Sequence, residues 1–93
     1  MLKKRLVAIV DDELDIVNLF RDSISTIKAI SVFGFTDPMV ALEHFRRNKN
    51  SYILIICDLK MLTLCGIELI KQIKMENPLV RTLIMTAFNV DRV

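Results

Sequence analysis

The sequence has few of the features that mark secreted or membrane-spanning proteins. Among its 93 residues are only two cysteines, Cys57 and Cys65, and the pattern at residues 1–13 predicts no secretory signal. The sequence therefore offers no framework of paired cysteines, and we predict an intracellular, cytoplasmic protein with reduced thiols. No apolar stretch reaches the roughly 18 residues that a membrane-spanning helix needs, so we expect no contact with a membrane.

The sequence also has little excess of charge of one sign. Its formal net charge is +2, and basic residues cluster only at residues 3–5 and 46–49. So small an excess does not indicate a nucleic-acid-binding surface. The first cluster is better explained as the solvated start of a strand, and the second as a helix end that the helix dipole favours. We therefore expect no direct contact with nucleic acid.

Histidine is nearly absent, which limits the catalytic arrangements that the chain can build. His44 is the only one, and it lies between Leu42 and Phe45 in a helical pattern with no evident catalytic partner. We predict a structural role for it. Four methionines are likewise predicted to be packing residues rather than a cofactor site: Met39, Met61, Met75 and Met85.

Strand-like and helix-like patterns alternate along the chain. Continuous apolar runs at residues 6–10 and 52–57 are typical of strands buried on both faces. Residues 29–35 and 80–85 predict two further strands, the first of them weaker and interrupted by Gly34. Between the strands, apolar residues at helical spacing predict three buried helix faces: Ile16, Val17, Phe20, Ile24 and Ile27; Val40, Ala41, Leu42 and Phe45; and Ile67, Leu69, Ile70 and Ile73.

Local signals also mark the ends of the predicted helices. Asp37 followed by Pro38 is typical of an N-cap and a first helical residue, and Asn77-Pro78 ends the third helix. The alternation of strands and helices predicts a parallel sheet with right-handed crossovers and helices on both faces. Without a repeat, a low-complexity tract or a linker, residues 1–93 are predicted to be one α/β domain.

Polar residues follow three of the predicted strands. Asp11 and Asp12 follow the first, Asp58 the third and Thr86 the fourth. Ligands of open α/β sheets bind beyond the carboxyl ends of the strands, so the three acids converge if the first and third strands are neighbours. One such residue alone would usually be a helix cap or a β-former, but the ordered set is much harder to attribute to chance.

Converging carboxylates repel one another, so such a cluster needs a cation or a shared proton. Oxygen ligands in a small site suit Mg²⁺, which would also neutralise charge on an incoming phosphoryl group. A carboxylate can itself be the nucleophile and form an acyl phosphate. The hydroxyl of Thr86 could then donate a hydrogen bond to a phosphoryl oxygen.

Three segments that carry these residues resemble the receiver domain of two-component response regulators. They are the acidic turn at residues 10–13, the segment 58–61 with the helix start at 66–70, and residues 85–87. The resemblance implies a flavodoxin-like open parallel sheet of order 2-1-3-4. Because the chain ends at Val93, we expect the family's fifth strand and last two helices to be missing.

The resemblance also implies a role for each matching residue. Asp58 would be the phospho-acceptor, and Thr86 the switching hydroxyl that reports phosphorylation. Asp12 would bind Mg²⁺ directly, Asp11 mainly through water, and Lys60 through its backbone carbonyl. The phosphoryl donor would be a histidine kinase or a phosphotransfer protein. Such a domain assists its own phosphorylation and dephosphorylation, but is not classed as an enzyme.

The sequence departs from the family pattern in two places. Leu62 stands where the family usually has proline, and Cys65 where it has an acidic or small polar residue. No lysine follows Lys74, so we expect the fifth-strand lysine that contacts the phosphoryl group in the family to have no counterpart in these 93 residues. The fourth strand is then an apolar edge, which predicts a homodimer through that edge or by domain swapping.

Two other functions compete with the phospho-acceptor. One is a phosphorylation-impaired, receiver-like module that acts by interaction or dimerisation. The other is a phosphatase of the haloacid dehalogenase type, which also uses an aspartate nucleophile at a strand end. Those enzymes need a second acid where this chain has Lys60, and 93 residues leave no room for their cap, so we disfavour this alternative.

Overall fold

The fold alternates strands and helices along the chain. The computed structural model describes residues 5–59 and 66–85. The strands are β1 (Arg5–Val10), β2 (Ile30–Phe35), β3 (Tyr52–Asp58) and β4 (Arg81–Met85), and the helices are α1 (Leu14–Ile24), α2 (Pro38–Arg47) and α3 (Gly66–Glu76). All pairs of neighbouring strands are parallel, in the order β2-β1-β3-β4. The predicted open parallel sheet of order 2-1-3-4 is confirmed.

Helices cover both faces of the sheet. Successive side chains along a strand point to opposite faces, so each strand contributes residues to both. One face packs with α2 and α3 in a core that contains Ala8, Val10, Ala41, Leu42, Phe45, Ile55, Cys57, Leu69 and Ile73. On the opposite face, α1 approaches β2 so closely that a Cβ on Gly34 would lie 2.3 Å from Cγ1 of Val17. Helices on both faces are therefore observed as predicted.

Several apolar residues that the sequence pattern placed in the interior are exposed instead. Ile27 lies beyond the end of α1, and Val40 and Ile67 lie beside the buried stripes of α2 and α3, with 46–51% of each residue exposed. Met39 and Met75 are also at least half exposed, so the prediction that they are packing residues is wrong. Each helix packs against the sheet with one side only. The buried stripe on each helix is therefore narrower than the set of apolar residues that we predicted to be buried.

Two local predictions can be checked at the ends of elements. The predicted N-cap is confirmed, because Oδ1 of Asp37 accepts the Met39 N–H at 2.9 Å and Pro38 opens α2. The second strand begins at Ile30 rather than at Ala29, whose φ of 69° belongs to the preceding turn. Gly34 does not interrupt that strand. Within the described ranges, no helix has both the length and the apolar content to cross a membrane.

Candidate functional site

The central pair of strands brings three carboxylates together. β1 and β3 lie side by side, with Val10 opposite Cys57. Asp11 and Asp12 therefore leave the sheet beside Asp58, the last residue of β3. One carboxylate oxygen from each of the three acids lies within 4.8 Å of the others. This is the convergence that we expected if the first and third strands were neighbours.

The three acids differ in burial and in hydrogen bonding. Asp11 and Asp58 are each 5% exposed, whereas Asp12 is exposed to solvent. Oδ1 of Asp11 accepts the Glu13 N–H at 2.9 Å, which ties the acidic turn to the start of α1. Burial raises the pKa of Asp11, and repulsion from Asp58 and Asp12 adds to this, while the Glu13 hydrogen bond opposes it. The cluster therefore favours a bound cation or proton over three bare charges.

The donor set fits a small hard cation. Carboxylate oxygens are the ligands that Mg²⁺ prefers, at about 2.1 Å each, so two oxygens on one ion are at most about 4.2 Å apart. The three carboxylate oxygens lie within 4.8 Å of one another, which is close to this limit. This spacing leaves room for water to stand between the ion and one acid, and Mg²⁺ usually keeps several waters. The three acids are therefore residues that could hold Mg²⁺.

The start of α3 approaches the backbone at the end of β3 closely. A Cβ on Gly66 would lie 2.1 Å from the backbone oxygen of Asp58 and 3.0 Å from Cα of Leu59. The Gly66 N–H donates to the Leu59 carbonyl at 3.0 Å, and the φ of Gly66 is not positive. Glycine is thus needed for space and not for backbone conformation. This role was not predicted from the sequence, and the small number of glycines, two in the whole chain, is the signal that points to it.

The end of the fourth strand also lies beside the cluster. Asp58 is paired with Met85, and the Leu59 N–H donates to the Met85 carbonyl at 2.8 Å. Thr86 follows directly in the chain, but both it and Lys60 lie outside the described residues. The roles that the resemblance gives to these two residues stay predictions.

Two other residues considered from the sequence belong to the packing of the domain. Cys57 is fully buried, as predicted for a core thiol, and its Sγ lies 3.7 Å from the Gly66 carbonyl. His44 packs against the ring of Phe33, and its Nδ1 lies 2.7 Å from the Tyr52 hydroxyl. These contacts support the structural role that we predicted for His44.

Comparisons with known proteins agree with this architecture. A family model described as the response regulator receiver domain matches residues 7–93, whereas a search of curated proteins gives no match. A receiver domain protein from Clostridium thermocellum is 25% identical and superposes with a TM-score of 0.82 over 95% of this chain and 70% of its own. The isolated receiver domain of RcsB from Salmonella enterica serovar Typhimurium, solved with phosphomimetic BeF3⁻, is 29% identical, with a TM-score of 0.73 over 92% of this chain and 64% of its own.

A third structure supports the fold alone. A chain of the CheX–CheY–BeF3–Mg²⁺ complex from Borrelia burgdorferi is 17% identical, with a TM-score of 0.80 over 95% of this chain and 66% of that one. This chain thus spans 64–70% of the length of these three neighbours. The family match over residues 7–93, the order of the sheet and the acidic cluster agree, and the chain belongs to the response regulator receiver domain family.

Proposed function

We propose that this receiver domain accepts a phosphoryl group on Asp58 from a histidine kinase or a phosphotransfer protein, in a reaction that requires Mg²⁺. The observation that carries the proposal is the convergence of Asp11, Asp12 and Asp58 at the carboxyl edge of the sheet, within 4.8 Å of one another. This arrangement supplies a nucleophile and the ligands of a charge-neutralising cation in one site.

Each residue has a defined part in the proposed transfer. A carboxylate oxygen of Asp58 attacks the phosphorus of a phosphohistidine donor, so that a P–O bond forms while the P–N bond breaks and the histidine nitrogen keeps the electron pair. Asp12, Asp58 and the Lys60 carbonyl would hold Mg²⁺ directly, and Asp11 mainly through water. When bound, that ion neutralises charge on the phosphoryl oxygens. The hydroxyl of Thr86 donates a hydrogen bond to the transferred group.

This proposal describes a signalling substrate rather than an enzyme. The domain assists its own phosphorylation and the later hydrolysis of the acyl phosphate, but turns over no other molecule. We place it in the cytoplasm, with no direct contact with membrane or nucleic acid. The small net charge of +2 supports the last point, since nucleic-acid-binding domains are typically strongly basic.

A small-molecule phosphodonor tests the acceptor directly. The protein is incubated with acetyl phosphate, with Mg²⁺ or with EDTA, and its intact mass is recorded. We expect a gain of one phosphoryl group that requires Mg²⁺ and is lost in Asp58→Asn. The matched control is Asp22→Asn, which removes an exposed carboxylate near the C-terminal end of α1, whereas the site lies at the start of that helix. An equal gain in Asp58→Asn, or no gain in a folded wild-type protein, would rule the proposal out.

Metal binding can be tested without phosphorylation. Binding of Mg²⁺ to the folded state alone stabilises it by about 1.4 kcal/mol when the free ion is at ten times its Kd. We expect the thermal midpoint to rise with Mg²⁺ concentration in the wild type and much less in Asp12→Asn. Asp12 is exposed, so this substitution disturbs little packing. A similar rise in both proteins would mean that the ion binds elsewhere.

The exposed fourth strand favours a second candidate function, a phosphorylation-impaired interaction module. Among residues 5–59 and 66–85, β4 pairs only with β3, and Leu83 and Ile84 are 53% and 38% exposed. We propose for this candidate a homodimer formed through the β4 edge or by domain swapping. Light scattering should then show a dimer that Leu83→Glu weakens. A wild-type monomer at high concentration would exclude this candidate and leave the phospho-acceptor proposal untouched.

A further inference from the structure

A groove opens at the end of the sheet opposite the acidic cluster. It lies where β3 and β4 begin, and its volume is about 700 Å³. The loops that lead into these two strands form its walls, and it is lined by Asn50, Tyr52, Ile53, Asn77, Leu79 and Arg81. None of these residues takes part in the proposed phospho-acceptor site, so the groove requires its own explanation.

One wall of the groove presents an apolar surface on an anchored loop. Leu79 is 88% exposed and Ile53 is 37% exposed. The loop before β4 is held by Asn77, whose Oδ1 accepts the Leu79 N–H at 3.1 Å and whose Nδ2 donates to the Lys49 carbonyl at 2.8 Å. The leucine side chain therefore extends into solvent from a backbone that hydrogen bonds hold in place. Such preorganisation lowers the entropic cost of binding.

The surroundings of the groove are positively charged. Arg81 is exposed and forms no ion pair with any residue in the described parts of the chain. In the network beside the groove, Glu76 pairs with Arg46 and also lies 4.0 Å from Nζ of Lys49, so one carboxylate faces two cations. An anionic partner would meet favourable charge here, and a cationic one would be repelled.

We propose that this groove binds a peptide segment of a partner protein in which a carboxylate lies next to an apolar side chain. The carboxylate pairs with Arg81, and the apolar side chain packs against Leu79 and Ile53. A purely apolar segment would leave the arginine unused, and a nucleic acid would leave the exposed leucine without a partner. The proposal does not depend on phosphorylation, because the groove and the acidic cluster lie at opposite ends of the sheet.

Defined peptides and nuclear magnetic resonance test this inference on the full 93-residue chain. The probe is an acetylated and amidated hexapeptide of alternating glutamate and leucine, titrated into ¹⁵N-labelled protein. We expect its largest amide shift changes at residues 50–53 and 77–81. Matched peptides that alternate lysine with leucine, or glutamate with serine, should bind at least about fivefold more weakly, because each lacks one of the two complementary features.

Two variants separate a specific contact from a general effect of charge. Arg81→Glu should weaken binding of the glutamate–leucine peptide by about fivefold or more. Lys28→Glu, an equal change in charge at an exposed residue before β2, which β1 separates from β3, should leave it unchanged. Equal binding of the lysine–leucine peptide, equal effects of both variants, or shift changes confined to other residues would overturn the proposal. Concentration-dependent shifts at residues 50–53 and 77–81 without peptide would overturn it in favour of a second copy of the chain as the occupant.

Discussion

Replacing Gly66 with alanine should destabilise the domain even though alanine is the better helix former. Gly66 is the first residue of α3, and its φ is not positive, so the alanine backbone conformation is allowed. The added Cβ would lie 2.1 Å from the backbone oxygen of Asp58, a separation that real Cβ atoms essentially never show. The conflict is with main chain, which cannot turn aside as the end of a flexible side chain can.

Two opposing terms set the size of this effect. Alanine gains at most about 1 kcal/mol of helix propensity over glycine, and less at the first residue of a helix. Forcing an extra carbon into a filled space costs about 1–3 kcal/mol, and sometimes more. We therefore expect Gly66→Ala to lower the free energy of unfolding by about 1–2 kcal/mol. For a domain of this size, such a loss lowers the thermal midpoint by roughly 4–16 °C.

Urea denaturation followed by circular dichroism measures this loss, with Gly34→Ala as the matched control. A Cβ on Gly34 would lie 2.3 Å from a methyl group of Val17, so this variant should also be destabilised. Its clash is between β2 and α1, away from Asp58. The two variants are compared at a temperature where both are mostly folded. Only Gly66→Ala should then be phosphorylated by acetyl phosphate less than its folded fraction predicts.

Two different outcomes would contradict this expectation for Gly66. A Gly66→Ala protein with an unchanged or higher urea midpoint would show that α3 does not begin against the Asp58 carbonyl. Equal loss of phosphorylation in both glycine variants would show that the site responds to general destabilisation, and that the close approach of Gly66 has no particular role in positioning Asp58.

Substitutions at three further positions test other parts of the fold. Asp37→Ala removes the acceptor of the Met39 N–H and should lower the free energy of unfolding, measured with urea, by about 1 kcal/mol, whereas Asp37→Asn should lower it much less. Burial, with a smaller contribution from Arg47, lowers the pKa of His44 below its ordinary value of 6.5. The imidazole of His44 therefore binds a proton more tightly in the unfolded chain than in the folded domain, so the free energy of unfolding should fall as the pH drops below 6.5. In His44→Phe, thermal melts over the same pH range should show a smaller fall. Phe45→Ala empties a fully buried site and should cost about 3–5 kcal/mol by the same denaturation; a loss under 1 kcal/mol would contradict this packing.

The order of elements could be predicted because short-range signals agree with one another. The run at residues 52–57 is continuous and apolar, and an acid follows it, so both the strand and its carboxyl end are evident from the sequence. Parallel pairing then follows from the alternation with helices. The convergence of Asp11, Asp12 and Asp58 needed only one further assumption, that the first and third strands are neighbours.

The features that the sequence did not reveal depend on contacts between distant segments. A helical pattern shows which residues share a side of the helix, but not how wide a stripe the neighbouring strands cover, and Val40 is therefore exposed beside buried Ala41. The approach of Gly66 to Asp58 is a distance between backbones eight positions apart. The network of Arg46 and Glu76 joins two helices across 30 positions, which periodicity does not predict.

The separation of charge in this domain follows from parallel topology. Every strand runs in the same direction, so residues before the strands gather at one end of the sheet and residues after them at the other. Arg5 opens β1 and Asp11 follows it, and six strand residues separate the two ends by about 20 Å. This exceeds the Debye length of about 8 Å at physiological salt. Substitutions at the Arg81 groove and at Asp58 should therefore act additively on stability, and a strong coupling between them would require a conformational link that charge alone does not provide.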